Sequence, residues 1–143
     1  MAVETKIWNG IVMERYAIQE QRWPSSGKCI LAQFDDDKVL VYQSFSDEIG
    51  RYAFSRGHFA GAPGWNSTRC TWIKTNFLWM MYRNGWGSKS RQTCTLGVWV
   101  KRPFFDRVLA SAREKGPKRD LNVKLQWDPD HLPDGSPHIR RRA

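Results

Sequence analysis

The sequence predicts an α+β fold, a single domain over residues 1–143 in which three or four helices flank a twisted sheet of mixed or antiparallel strands. Two short apolar runs separated by the aspartates Asp35 to Asp37 are typical of a β-hairpin. Strand and helix patterns alternate after it, but the sequence contains neither GxGxxG nor GxxxxGK[ST]. The absence of a glycine-rich phosphate loop disfavours a doubly wound dinucleotide-binding or P-loop fold.

The first half of the chain divides into an N-terminal helix and turn (1–27) and the start of the core (28–127). Ser46 has the side chain of a helix N-cap, and the acidic residues that follow it complement the helix dipole. The predicted elements here are a helix within 10–23, strands over 28–34 and 38–45, and a helix over 47–56 that stops at Gly57.

The second half continues the core and ends in a predicted loop and basic tail, residues 128–143. Phe77, Met80 and Met81 recur at helical spacing and are predicted to form a core stripe. The first predicted elements are an extended segment over 70–74 and a helix that is capped by Thr75 and ends at Asn84-Gly85. A strand over 92–100 follows, and then a helix over 104–115 with Pro103 before it and Gly116 after it. The last predicted element is a strand over 121–127.

The charge of the chain indicates the chemistry of its partners. A formal net charge of +9 favours nucleotides or nucleic acids over neutral or cationic ligands. No apolar run is long enough to span a membrane, and the first ten residues lack a secretory signal pattern. Cys29, Cys70 and Cys94 form no CxxC pair, so we expect reduced thiols in an intracellular protein, cytoplasmic or nuclear, and no metal site.

The stretch from Thr71 to Gly87, TWIKTNFLWMMYRNGWG, places cations among aromatic side chains. Indole rings stack on nucleobases, and a cation beside them pairs with phosphate. Core or half-buried packing is the better explanation of each tryptophan taken alone, and a helix dipole explains the cation at the helix end, so the binding hypothesis depends on the cations that are interleaved with the rings. The predicted ligand-binding residues of this stretch are Trp72, Lys74, Tyr82, Arg83 and Trp86.

Three further groups of polar residues are candidates. Tyr42 and Gln43 lie near the end of a predicted strand, before a capped helix, where small ligands often bind. In the QWDPDH segment, Asp128 is the best candidate for a general base and Gln126 for a ligand contact, although Asp-Pro turns are also common in loops. The terminal run Arg140, Arg141 and Arg142 is predicted to contact nucleic-acid phosphates or to remain solvated.

Three segments in this order, ILAQFDDDKVLVYQSFSDEIG, TWIKTNFLWMMYRNGWG and QWDP, resemble the signatures of a widespread family of small proteins catalogued as a domain of unknown function. The resemblance covers about residues 28–143. This chain departs from the family pattern at Phe45, where a tyrosine is common, and at Cys70, where methionine is common. Family members continue beyond the Arg-Arg-Ala that closes this chain, so the resemblance implies a C-terminally truncated form.

A weaker likeness concerns VYQSFSDEIGRYAFSRGHF, which is similar to the first sheet edge of ADP-ribosyl transferases. The likeness implies an NAD cofactor, with Tyr42 and Gln43 on the NAD-contact strand and the aromatic helix stacking on nicotinamide. The glutamate of that family has no counterpart here. Three hypotheses follow: a nucleotide-binding, ADP-ribosyl transferase-like enzyme acting on nucleic acid, a non-catalytic module that binds single-stranded nucleic acid, and a truncated inactive form.

Overall fold

The structure is a computed structural model that describes residues 5–114 and 123–143. Within those residues the α+β prediction is confirmed, but the strands form three small sheets instead of one. The elements are β1 (Lys6–Trp8), β2 (Ile11–Met13), α1 (Tyr16–Glu20), β3 (Gly27–Lys28), β4 (Lys38–Phe45), α2 (Asp47–Arg56), α3 (Phe77–Arg83), β5 (Cys94–Lys101), α4 (Arg102–Ser111), β6 (Pro129–His131) and β7 (Pro137–Arg142). No helix in these two ranges is long and apolar enough to cross a membrane.

The centre of the molecule is the antiparallel pair β4–β5, registered from Lys38 opposite Lys101 to Phe45 opposite Cys94. Val39, Leu40 and Val41 of β4 are almost completely buried, as expected of a branched apolar run that is covered on both faces. The free edge of β4 is bridged by the segment before α3, through two backbone hydrogen bonds between Tyr42 and Lys74 (N···O 2.6 and 3.2 Å).

Helix α2 has the predicted bounds, because both of its ends are determined by local residues. The Ser46 hydroxyl accepts a hydrogen bond from the Ile49 amide, and Gly57 ends the helix in the left-handed conformation. Gly50 faces β5 so closely that a β-carbon there would lie 2.3 Å from the Cys94 sulfur. Glycine is therefore what allows α2 to pack against the central strands.

Helix α3 differs from its prediction at the cap and in its buried face. Asn76, not Thr75, caps it by accepting the Trp79 amide at 3.0 Å. Trp79 and Met80 are buried, Met81 is half-buried and Phe77 is 43% exposed, so the predicted core stripe is confirmed for Met80 and wrong for Phe77. Phe77 instead packs edge-on against the Tyr42 ring at 5.3 Å between centroids, on the side of the helix away from Trp79.

The helix predicted over 10–23 is wrong for its first part. Asn9 and Gly10, both with positive φ, form the turn of the β1–β2 hairpin, since Asn-Gly favours the turn geometry that joins two strands. Only Tyr16–Glu20 is helical.

The predicted pairing of 28–34 with β4 is also wrong, apart from one bridge between Phe34 and Val39. The partner of β4 is β5, which lies far along the chain. β3 pairs in parallel with β7 instead.

The helix predicted over 104–115 is confirmed as α4, which begins with Arg102 and Pro103, but its predicted end is wrong, because α4 ends at Ser111 and Ala112 is extended. Its predicted stop at Gly116 and the first residues of the strand predicted over 121–127 lie outside the described residues. From residue 123 onward that strand is reduced to one bridge, between Lys124 and Arg113.

The predicted C-terminal loop and tail contain two strands, with β7 between β3 and β6. Arg141 of β7 is 1% exposed, and its Nε donates to Asp130 Oδ2 at 2.6 Å. The other guanidinium nitrogens donate to the Pro24 carbonyl oxygen at 3.0 Å and to the Tyr16 hydroxyl at 3.2 Å. The guanidinium predicted to contact nucleic acid therefore joins the two ends of the described chain, while Arg140 and Arg142 are exposed.

Replacing Arg141 with alanine should lower the free energy of unfolding by about 3–5 kcal/mol, because it leaves the Asp130 carboxylate buried without its counter-charge. Urea denaturation at neutral pH measures the loss. Arg140→Ala, at the exposed neighbouring position, is the matched control and should change stability by less than about 0.5 kcal/mol. Equal effects of the two substitutions would contradict the structural role given to Arg141.

Candidate functional site

A cleft of about 310 Å³ lies between the end of β4, the C-terminal end of α3 and two loops. We call it the arginine cleft, because Arg69, Arg83 and Arg91 contribute to its lining. None of the described residues that line it is acidic. Each arginine comes from a different segment, so the cleft depends on how those segments are held.

Arg69 is positioned by a polar turn in the loop that precedes α3. The Asn66 side-chain oxygen accepts hydrogen bonds from the Thr68 amide at 2.9 Å and the Thr68 hydroxyl at 2.7 Å. The Arg69 amide then donates to the Asn66 carbonyl oxygen at 3.3 Å. Such side-chain-to-backbone bonds fix a loop without regular secondary structure.

Arg83 is the last residue of α3, and Arg91 lies on the loop that follows it. Asn84 organises this loop: it is fully buried, and its side-chain nitrogen donates to the hydroxyls of Ser44 and Thr95, each at 2.7 Å. Its side-chain oxygen accepts the Gly87 amide at 3.0 Å. Arg91 itself has a φ of 61°, a left-handed conformation that is uncommon for a side chain of this type.

The three guanidiniums of the arginine cleft have no hydrogen-bond or ion-pair partner among the residues that the structure describes. All three arginines are solvent-exposed, which leaves their donors accessible to an anion from solution. The Trp72 ring, 43% exposed, lies in the same lining. It is supported from behind by Trp79, whose ring centroid is 6.2 Å away. The cleft thus presents cations beside an accessible aromatic face.

A second and larger cavity, of about 880 Å³, lies on the other side of α3. We call it the aromatic groove, after Trp8, Phe34, Tyr42, Phe77 and His131 in its lining. Burial raises the pKa of the Tyr42 phenol, so Tyr42 is neutral at physiological pH. The His131 Nδ1 is buried and has no partner among the described residues.

Lys74 and Asp128, predicted as a phosphate ligand and a general base, are paired with each other. The Lys74 ammonium donates to Asp128 Oδ2 at 2.8 Å and lies 4.5 Å from the centroid of the Trp79 ring. Gln126 donates to the other oxygen of the same carboxylate at 2.7 Å. Burial works to raise the pKa of Asp128, but the hydrogen bonds from Lys74 and Gln126 and the Lys74 charge outweigh it and hold that pKa below its usual value. The pair leaves neither charge uncompensated.

The other predicted site residues are divided between the two sides of α3. Trp72 and Arg83 are together in the arginine cleft. The Tyr82 hydroxyl donates to the Pro133 carbonyl oxygen, and its ring stacks on His131 at 5.7 Å between centroids. Trp86, 54% exposed, packs edge-on against Tyr82 at 5.6 Å. Gln43 is buried, on the face of β4 opposite Tyr42.

Arg69, Arg91 and the neighbouring Trp65 are the cleft residues that sequence reasoning missed. The Asn-Ser-Thr-Arg turn at 66–69 was a signal for an ordered loop, and ordered loops are common sites of function. Arg91 carried no local signal, because its place in the cleft follows from the buried Asn84 amide.

The described residues form a small α+β protein with a cleft lined by three arginines and by indole rings. The sequence profile described as "Domain of unknown function (DUF4291)" matches residues 29–143, and the chain belongs to that family. This confirms the resemblance given by the three sequence segments. Comparisons with the curated proteins and with the solved structures gave no match.

Asp128→Asn should lower the free energy of unfolding at pH 7 by about 2 kcal/mol, because it leaves the buried Lys74 ammonium without a counter-charge. The value is below that of a fully buried pair, since the two side chains are 9% and 18% exposed. The pKa of Asp128 is lower in the folded than in the unfolded chain, so the pair stabilises the fold above the unfolded value of about 3.9. That contribution is lost as the pH falls through the folded value.

The difference in stability between wild type and Asp128→Asn should therefore stay constant from about pH 7 to pH 5 and shrink below about pH 4. Chemical denaturation at a series of pH values measures it. Asp106→Asn is the control, because Asp106 forms an exposed pair with Arg102 and should contribute less than about 1 kcal/mol. A difference that does not depend on pH would show that the Asp128 charge is not what stabilises the fold.

Proposed function

We propose that this protein binds a nucleotide in the arginine cleft, with phosphate on the guanidiniums and the base against Trp72. The observation that carries the proposal is the set of three arginines without partners among the described residues, beside an exposed indole and without a lining carboxylate. By contrast, Lys74 and Arg141, which are the buried cations of the described residues, are paired with carboxylates.

The chemistry of the lining suits both parts of a nucleotide. Guanidinium groups donate two parallel hydrogen bonds to phosphate, which is stronger and more directional than a neutral contact. An indole face that stacks on a base contributes about 1–3 kcal/mol and tolerates any base. The net charge of +9 raises the local concentration of anionic ligands around the whole molecule.

The size of the arginine cleft limits what it encloses. At about 310 Å³ it is at the small end of the range of about 300–1,000 Å³ for small-molecule sites. It fits one nucleotide, so NAD would place only one of its two nucleotides there. Transfer of ADP-ribose from NAD stays a prediction from the sequence, and the pairing of Asp128 with Lys74 gives it no free general base at that position.

Addition of AMP or ADP at about a hundred times its Kd should raise the Tm of the wild-type chain by about 5–10 °C, because a ligand that binds only the folded state stabilises it. Arg83→Gln should lose most of this shift while keeping the Tm of the free protein. Differential scanning fluorimetry measures both. Arg107→Gln, an exposed arginine of α4 outside both cavities, is the matched control and should keep the full shift.

The same measurement with a short single-stranded RNA and with NAD separates the alternatives. If only RNA raises the Tm, and high salt abolishes this rise, the protein binds nucleic acid instead of a free nucleotide. A shift with nucleotides that survives Arg83→Gln would place their site outside the arginine cleft and overturn the proposal.

A further inference from the structure

We infer that the arginine cleft selects a terminal phosphate group over an internal phosphodiester. The inference rests on the proposed nucleotide-binding function and specifies its ligand class. The shared chemistry is a phosphomonoester, or the end of a polyphosphate. Such a group occurs on a free nucleotide and on a phosphorylated end of a nucleic-acid strand.

The first argument is the ratio of charge to volume. Arg69, Arg83 and Arg91 place three positive charges in a lining that encloses room for one nucleotide. An internal phosphodiester carries one negative charge, whereas a phosphomonoester carries about −1.5 to −2 at pH 7 because its second pKa is about 6. The terminal group therefore neutralises about half to two thirds of the three positive charges, whereas one diester neutralises a third of them.

The second argument is the arrangement of the cations. A protein that holds an internal stretch of strand spreads its cations along a groove, over roughly four or more nucleotides. Here the cations converge from three segments: the loop before α3, the end of α3 and the loop after it. A ligand surrounded in this way offers several oxygens to one place, as the three non-bridging oxygens of a terminal phosphate do.

The third argument is that hydrogen bonds order the backbone near two of the arginines before any ligand arrives. The buried Asn84 side chain accepts from the Gly87 amide at the start of the loop that carries Arg91, and the Asn66 side chain accepts from Thr68, next to Arg69. Arg91 keeps a left-handed backbone conformation that this framework supports. Backbone strain of this kind is concentrated at ligand sites and must be supported by surrounding structure. Backbone segments that are ordered in advance lose less entropy on binding.

The test compares AMP with 3′,5′-cyclic AMP, which have the same nucleoside and differ in terminal phosphate against diester. Calorimetric titration of the wild-type chain should give AMP an affinity at least about tenfold higher. Arg91→Gln and Arg69→Gln should each reduce this preference, while Arg107→Gln should leave it unchanged. Adenosine, which has no phosphate, should bind more weakly than either.

The pH dependence gives a second readout. The titratable side chains in the cleft lining are the three arginines and Cys70, and the arginines stay charged throughout. Affinity for AMP should therefore fall between about pH 7 and pH 5, as the phosphate takes up its second proton near pH 6. Affinity for the cyclic diester should not change over that range.

A pair of short RNA strands of the same sequence, with and without a 5′-phosphate, distinguishes the two sources of a terminal phosphate, a free nucleotide and a strand end. Tighter binding of the phosphorylated strand would identify a strand end, whereas binding of AMP with equal, weak binding of both strands would identify a free nucleotide. Equal affinities for AMP, cyclic AMP and both strands would overturn the inference and leave nucleotide binding intact. Binding of none of these ligands would overturn the inference and the proposed function together.

Discussion

The buried pair of Arg141 and Asp130 is the interaction on which the other parts of the structure depend. One carboxylate oxygen of Asp130 accepts a hydrogen bond from Arg141. The Arg141 guanidinium also donates hydrogen bonds to Pro24 and Tyr16 of the N-terminal segment. The other oxygen accepts from the side chain of Asn76, which caps α3. The C-terminal strand thereby fixes the start of the helix whose last residue contributes to the arginine cleft. A buried charge pair is a weak source of net stability, but its loss is costly.

Two sets of cations in this protein have different surroundings. Lys74 and Arg141 are buried and paired with carboxylates, and they position backbone segments. Arg69, Arg83 and Arg91 line one cleft, and the described part of the chain gives them no partner. These three arginines are solvent-exposed, and the proposed binding of an anionic ligand rests on them.

Sequence analysis predicted correctly those elements whose boundaries depend on residues close to them in the chain. Ser46 and Gly57 fixed both ends of α2, the apolar run after Asp35 to Asp37 identified β4, and an alternating pattern identified β5. The Asn9-Gly10 hairpin turn was also local, but the amphipathic pattern after it favoured a helix. Long-range partners were beyond prediction: Arg141 contacts Pro24, 117 positions away. For the same reason Trp72 and Arg83 were predicted in the site, but their assembly with Arg69 and Arg91 was not.

The most direct test of the account is to observe the arginine side chains while a nucleotide binds. NMR spectra of the guanidinium Nε–H groups, assigned by single substitutions, report each arginine separately during a titration with AMP. The account predicts that the signals of Arg69, Arg83 and Arg91 move together with one Kd, while the signal of the paired Arg141 stays in place. Shifts confined to other arginines, or to residues around the aromatic groove, would contradict the assignment of the arginine cleft as the binding site.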